Sequence, residues 1–105
     1  MKRLALPVCA LALAVSAAPA GAGGKSVKVE NYKFVSRNIT ISRGTTVKWT
    51  WAKGDDPHNV TGKGWHSKTQ ASGTFSHKFT KPGTYKYVCT IHAKSFAMHG
   101  TIVVK

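Results

Sequence analysis

Short segments with alternating apolar side chains are the feature that most limits how this chain folds. Apolar residues occupy every second position in residues 27–29, 39–41, 47–51 and 85–89, and residues 75–79 alternate likewise, with His77 between Phe75 and Phe79. Turn residues such as Arg43-Gly44 and Pro82-Gly83 separate the segments. A period of two places one face of each segment in a core and is typical of β-strands, while no segment carries the apolar stripe of an amphipathic helix. About seven short strands at this spacing predict an all-β protein, either an antiparallel sandwich or a barrel of Greek-key type.

The first 22 residues predict a secretory signal. Lys2 and Arg3 precede an apolar run over residues 4–15, and small residues suited to cleavage follow at 18–22. The run is shorter than the ~20 residues that a membrane span needs, so a retained anchor is the weaker alternative. We expect residues 1–22 to be removed and residues 23–105 to form a single domain that is exported, either to the periplasm or outside the cell. Residues 21–25 are Gly-rich, and we expect them to be disordered.

Removal of the signal leaves Cys89 as the single cysteine, since Cys9 lies within the apolar run. One cysteine cannot form an internal disulfide, although disulfides usually form in exported proteins. A buried apolar thiol is one explanation for such a residue, and a bound metal is another. Cys89, His92 and Met98 lie between two predicted strands and offer a thiolate, an imidazole and a thioether. These soft ligands suit copper.

A fourth candidate ligand, His58, lies in the segment 54–60, between two apolar stretches. Pro57 stiffens the backbone immediately before His58, and Asn59 can hydrogen-bond a neighbouring loop. Together His58, Cys89, His92 and Met98 supply two imidazoles, one thiolate and a weak axial thioether. That combination is typical of copper sites that transfer electrons.

Several short motifs, in this order, resemble the cupredoxin family, and in particular its small plastocyanin and amicyanin members. They are Pro57-His58-Asn59-Val60, Pro82-Gly83-Thr84-Tyr85, Cys89-Thr90-Ile91-His92 and Met98-x-Gly100. The resemblance implies a Greek-key β-sandwich of about eight strands with one blue copper ion. It implies His58, Cys89 and His92 as equatorial ligands and Met98 as the axial one. It also implies that Asn59 braces the ligand loop near Thr90, and that His92 passes the electron through an apolar surface.

The spacing between His92 and Met98 departs from the family pattern. Amicyanins place two residues between the corresponding His and Met and plastocyanins four, whereas this chain has five, at 93–97. The Pro that usually follows the His is also replaced, by Ala93. Met98 as axial ligand is therefore one of two alternatives, the other being a different axial ligand or none.

The expected function is one-electron transfer between redox partners by an exported blue copper protein. The mature chain has only three carboxylates, Glu30, Asp55 and Asp56, and shows no acid–base pair, so we expect no enzymatic activity. One alternative is a copper-binding or delivery protein that holds Cu(I) without turning over electrons. Another is a cationic extracellular binding module that uses no metal.

A basic surplus indicates the kind of partner. Without Lys2 and Arg3 the chain keeps 14 basic residues against three acidic ones, a net charge near +11. This charge favours electrostatic steering toward an acidic redox partner. Contact with an anionic membrane surface or wall polymer is an alternative role for this charge. Nucleic acid is a poor candidate as a partner of an exported protein. We expect the protein to be a monomer. Lysines occur throughout the mature chain, for example at positions 25, 28, 33, 48, 53, 63, 68, 78, 81, 86 and 94.

Three other histidines are weaker ligand candidates. His66 is expected at the surface, with a secondary ion site as the alternative, and His77 shares a strand face with Phe75 and Phe79. His99 follows Met98 in a predicted strand, so its side chain should point away from the site. The same alternation places Trp49 and Trp51 in the core.

Overall fold

The computed structural model describes residues 24–105, and the predicted signal at residues 1–22 lies outside them. The described chain contains nine strands and one short helix. The strands are β1 Gly24–Glu30, β2 Lys33–Val35, β3 Asn38–Ile41, β4 Thr45–Trp51, β5 Thr61–Gly62, β6 Trp65–His66, β7 Thr74–Phe79, β8 Gly83–Val88 and β9 His99–Val104. The helix, α1, is a single turn over Ala93–Phe96, between β8 and β9.

The strands form two packed sheets, which confirms the predicted all-β sandwich. One sheet has the order β2-β1-β4-β7, and the other has the order β3-β9-β8-β5-β6. The sequence pattern did not predict β5 and β6, because two residues each are too few to show a period of two.

Both sheets are mixed, so the expectation of an antiparallel structure is wrong for two strand pairs. β1 runs parallel to β4, and β3 runs parallel to β9. The chain reverses between β1 and β2, crosses to the second sheet as β3 and then returns as β4 beside β1. A connection that crosses between sheets lets two strands lie side by side in the same direction.

The core lies between the two sheets. Trp49 and Trp51 are 0% and 4% exposed, which confirms the face that their alternation predicts. Phe79 is buried, and Phe75 and His77 on the same face of β7 are half-buried, also as predicted. The His77 imidazole stacks on the Trp65 indole, with ring centroids 4.9 Å apart.

The expected disorder of residues 21–25 is wrong for its last two residues. Gly24 and Lys25 are the first residues of β1, and they pair with Thr46 and Val47 of β4. A glycine-rich sequence weakens a strand, but an adjacent strand that offers ladder hydrogen bonds can still order it.

The site-bearing loops meet at one end of the sandwich. Val88 at the end of β8 is paired with His99 at the start of β9, so the loop between these strands leaves and returns at that end. Of the helices among residues 24–105, none combines the length and the apolar character that crossing a bilayer requires.

Candidate metal centre

Three predicted ligands from two distant loops converge at this end of the sandwich. The Nδ1 atoms of His58 and His92 are 3.0 Å apart, and the Cys89 Sγ atom lies 3.8 Å and 3.5 Å from them. Ligand bonds of about 2.0–2.3 Å to one ion place two ligand atoms roughly 3–4 Å apart. The three donor atoms therefore have the spacing that a single metal ion requires.

The loop between β8 and β9 is closed by backbone hydrogen bonds at its ends. The Cys89 N–H donates to the Met98 carbonyl at 3.0 Å, and the His92 N–H donates to the Cys89 carbonyl at 3.2 Å. Within this loop, residues Ala93–Phe96 form α1, which the sequence did not predict. Ala97 ends α1 in a left-handed conformation with φ of 51°, and the chain then returns to β9.

Met98, the predicted axial ligand, lies inside the protein. Its side chain is fully buried, at 0% exposure, and its backbone carbonyl contacts Cys89 directly. The longer loop thus keeps the Met98 backbone beside that of Cys89.

The backbone of His58 is held by three hydrogen bonds. His58 and Gln70 exchange two N–H···O bonds of 3.0 Å, and the Trp51 indole N–H donates to the His58 carbonyl at 3.1 Å. The side chain of His58 is itself completely buried. A fixed backbone and a closed environment give the imidazole one orientation, as the position after Pro57 predicts.

The protonation of the His58 ring suits metal binding. Its Nε2 lies 2.8 Å from Asn31 Oδ1, an oxygen that also accepts the Asp56 backbone N–H at 3.0 Å. The His58 Nε2–H therefore donates to Asn31, which leaves the lone pair of Nδ1 directed at the site. Burial and the nearby His92 lower the pKa of His58 and so favour the neutral ring. A neutral imidazole is the form that binds a metal.

Asn59 ties the His58 segment to the Cys89 loop, as the family resemblance implies. Its Oδ1 accepts the Thr90 N–H at 3.0 Å, and its Nδ2 donates to the Thr90 hydroxyl at 2.8 Å. Because Asn59 and Thr90 each follow a candidate ligand, these bonds fix the distance between His58 and Cys89.

The donor set also fits a soft metal chemically. Two imidazole nitrogens 3.0 Å apart need a proton or a cation between them, because two lone pairs at that distance would repel each other. Cys89 is a free and fully buried cysteine beside them. Imidazole and thiolate together suit copper and zinc, and a nearby thioether is typical of copper.

Comparisons with known proteins agree with this chemistry. Residues 62–105 match the family model for copper binding proteins of the plastocyanin/azurin family. Amicyanin-alpha of Methylorubrum extorquens is 37% identical over 100 residues, which cover 88% of this chain and 79% of that protein. The chain is a cupredoxin of the plastocyanin/amicyanin type. Plastocyanin of Dryopteris crassirhizoma is 32% identical over 100 residues, covering 74% of this cupredoxin and 93% of the fern protein.

The solved structure of a purple cupredoxin from Nitrosopumilus maritimus has the same fold. It superposes with a TM-score of 0.67 at 24% identity, covering 77% of this chain and 99% of that one. The family and the donor cluster together identify one copper ion as the cofactor of this cupredoxin. They also identify its functional class as electron transport by a blue copper protein.

Sequence reasoning missed the contribution of Asn31 and Tyr32, which form the turn between β1 and β2. Asn31 bonds the His58 ring, and the Tyr32 ring lies edge-on against the His92 imidazole with centroids 4.9 Å apart. Asp55 and Asp56 hold this turn: Asp55 accepts the Asn31 N–H at 2.8 Å, and Asp56 accepts the Tyr32 hydroxyl at 2.7 Å. The hydrogen bond to Asp56 is the main reason that the pKa of Tyr32 is raised.

The other histidines are not part of the cluster formed by His58, Cys89 and His92. His66 and His99 are exposed, and His77 is half-buried against Trp65, as their positions in the sequence predict. Among residues 24–105, the group formed by His58, Cys89 and His92 is the one cluster of His, Cys, Asp and Glu with metal-binding geometry.

Proposed function

We propose that this cupredoxin is an exported one-electron carrier whose copper is bound by His58, Cys89 and His92, with Met98 as the axial ligand. The convergence of the three donor atoms within 3.0–3.8 Å is the observation that carries the proposal. The buried position of Met98 beside Cys89 supports its axial role. No catalysed reaction is part of this proposal.

Bound copper supplies a one-electron couple between Cu(I) and Cu(II). The protein holds the ligands in one arrangement through the hydrogen bonds between His58 and Asn31 and between Asn59 and Thr90. Ligands that are locked by outer hydrogen bonds move little when the charge at the site changes. A small rearrangement keeps electron transfer fast in both directions.

His92 is the proposed exit for the electron. Its ring is half-buried, and Ile91 and Phe96 in the same loop are 51% and 50% exposed. An apolar rim of this kind lets a partner exclude water and approach the imidazole closely. The net charge near +11 supports an acidic partner, which long-range attraction would bring to the protein before docking.

Export is proposed from the signal pattern at residues 1–22, with residues 23–105 as the mature domain. A cell fractionation that compares the full chain with a variant lacking residues 1–22 tests this step. Retention of both forms in the cytoplasm would contradict export without affecting the copper site.

The central experiment is an absorption and paramagnetic-resonance spectrum of the mature protein loaded with Cu(II). Blue copper ligation predicts an intense thiolate-to-Cu(II) absorption in the visible range. Cys89→Ser should remove this band, because the charge-transfer donor is the thiolate. His99→Ala is the matched control, since His99 is an exposed imidazole next to Met98 and should leave the spectrum unchanged.

The same spectrum separates the carrier from a copper-delivery protein. A delivery protein would hold copper as colourless Cu(I) and stay colourless under a mild oxidant. A carrier turns blue on oxidation and bleaches on reduction through repeated cycles. A wild-type protein that stays colourless with one equivalent of copper bound would therefore contradict electron transfer.

A further inference from the structure

The loop from His92 to Met98 has little to hold its middle in place. Its helix, α1, has four residues, none of them buried, and no side chain caps its N-terminus. A helix of one turn is not stable by itself in water. The backbone bond between Cys89 and Met98 fixes only the two ends of the loop.

An aromatic side chain fastens the middle of this loop to another part of the protein. The Phe96 ring stacks on the Tyr32 ring with centroids 4.0 Å apart and an angle of 9° between the planes. Phe96 is the last residue of α1, whereas Tyr32 belongs to the turn between β1 and β2. The stack therefore joins the ligand loop to a turn of the four-stranded sheet.

The turn that carries Tyr32 is itself well anchored. Glu30 and Lys33 on either side of the turn are paired in the sheet, and the Tyr32 hydroxyl donates to Asp56 at 2.7 Å. Asn31 in the same turn bonds the Asp55 carboxylate and the His58 ring. Phe96 thus packs on a ring whose position is set by the framework of the protein.

Both aromatic rings also contact His92. The imidazole lies 4.9 Å from the Tyr32 ring and 5.8 Å from the Phe96 ring, with interplanar angles of 62° and 61°. Edge-to-face contacts at these distances are favourable, and here they restrict rotation of the imidazole out of the site.

We propose that Tyr32 and Phe96 form an aromatic clamp that holds the long ligand loop closed and keeps His92 in its metal-binding orientation. In this role they are positioning residues, which act on copper through His92 and do not touch the ion. The proposal rests on the copper role of His92 given above. It explains how a loop longer than the family pattern still returns His92 and Met98 to the site.

The first test measures how fast the Cu(I) protein loses its metal to a chromogenic Cu(I) chelator. Tyr32→Leu and Phe96→Leu each remove the stack and should speed the loss by about 2- to 12-fold, the range that corresponds to the strength of an aromatic pair. Ile91→Ala is the matched control, because Ile91 is as exposed as Phe96 and precedes His92 in the same loop. Its rate should stay within about 2-fold of wild type.

Rescue and double substitution separate a clamp from a general loss of structure. Tyr32→Phe and Phe96→Tyr keep both rings and should retain most of the wild-type rate. The double variant Tyr32→Leu/Phe96→Leu should speed copper loss by clearly less than the product of the two single effects, because the loss of the Tyr32–Phe96 stack is common to both. Rates that multiply in the double variant, or an Ile91→Ala rate equal to that of Phe96→Leu, would overturn the clamp.

A second readout needs no copper and so stays informative if the proposed function fails. In NMR spectra of the metal-free protein at one fixed pH, wild type should show proton–proton contacts between Tyr32, Phe96 and His92. Phe96→Leu should broaden the His92 ring signals while the core signals and the unfolding temperature change little. Absence of the ring contacts in wild type would overturn the clamp, whereas their presence in a protein that never binds copper would refute only the copper role.

Discussion

Removal of the Asn59 side chain tests how the two ligand-bearing segments are held together. Asn59 is 5% exposed and makes two hydrogen bonds with Thr90, one with the Thr69 hydroxyl at 3.1 Å and one with the Thr61 hydroxyl at 2.9 Å. Asn59→Ala removes all four and leaves the Thr90 N–H without its partner.

The expected cost follows from the number and the exposure of these bonds. At about 0.5–1.5 kcal/mol of net stabilisation each, the four sum to roughly 2–6 kcal/mol. The hydroxyls of Thr69 and Thr90 belong to exposed residues and can bond water instead, so the lower part of the range applies, about 2–4 kcal/mol. That is a large share of the ~5–15 kcal/mol that stabilises a small domain.

Urea unfolding of the metal-free protein measures this loss as a shift of the midpoint at constant slope. Thr69→Val is the matched control, since it removes one of the four bonds and should cost about 1 kcal/mol or less. Copper affinity should fall by about 10- to 100-fold in Asn59→Ala, the usual effect of losing an outer-shell partner. A loss below about 1 kcal/mol, or one equal to that of Thr69→Val, would refute the bracing role.

Three further predictions concern packing, pH and salt. Gly100→Ala would place a Cβ atom against the buried phenol ring of Tyr87, which lies opposite Gly100 in the β8–β9 pair. The substitution should therefore lower the free energy of unfolding by about 1–3 kcal/mol. An unchanged free energy of unfolding would contradict this contact. Burial in the folded protein lowers the pKa of His77 below its ordinary value of 6.5. As the pH falls below 6.5, His77 is therefore protonated in the unfolded chain before it is protonated in the folded protein. The stability that is present above pH 6.5 is lost as the pH falls through the lowered pKa. Unfolding curves at several pH values should show a smaller loss in His77→Gln, and equal losses would count against the burial effect. Electron transfer to an acidic partner should slow as salt rises, because a Debye length of about 10 Å at 0.1 M screens the basic surface; a rate independent of salt would exclude steering.

Much of the copper site could be predicted because it depends on the types of the ligand residues and on the short spacings between them. Cys89 and His92 are separated by two residues, and His58 and Asn59 are neighbours, so the loops carry these pairs together. The hydrogen bonds from Asn59 to Thr90 then appear where the motif predicts them. The helix α1 could not be predicted, because four residues are too few to show a helical period.

The sequence by itself determined the strand faces, the single cysteine among residues 23–105 and the identity of the candidate ligands, since each depends on residues that are close along the chain. Only the tertiary structure decided that β1 lies parallel to β4, and that Asn31 and Tyr32 reach His58 and His92. Those contacts join residues 27 and 60 positions apart. They depend on how the strands cross between the two sheets, a property of the whole fold that no local pattern of side chains encodes.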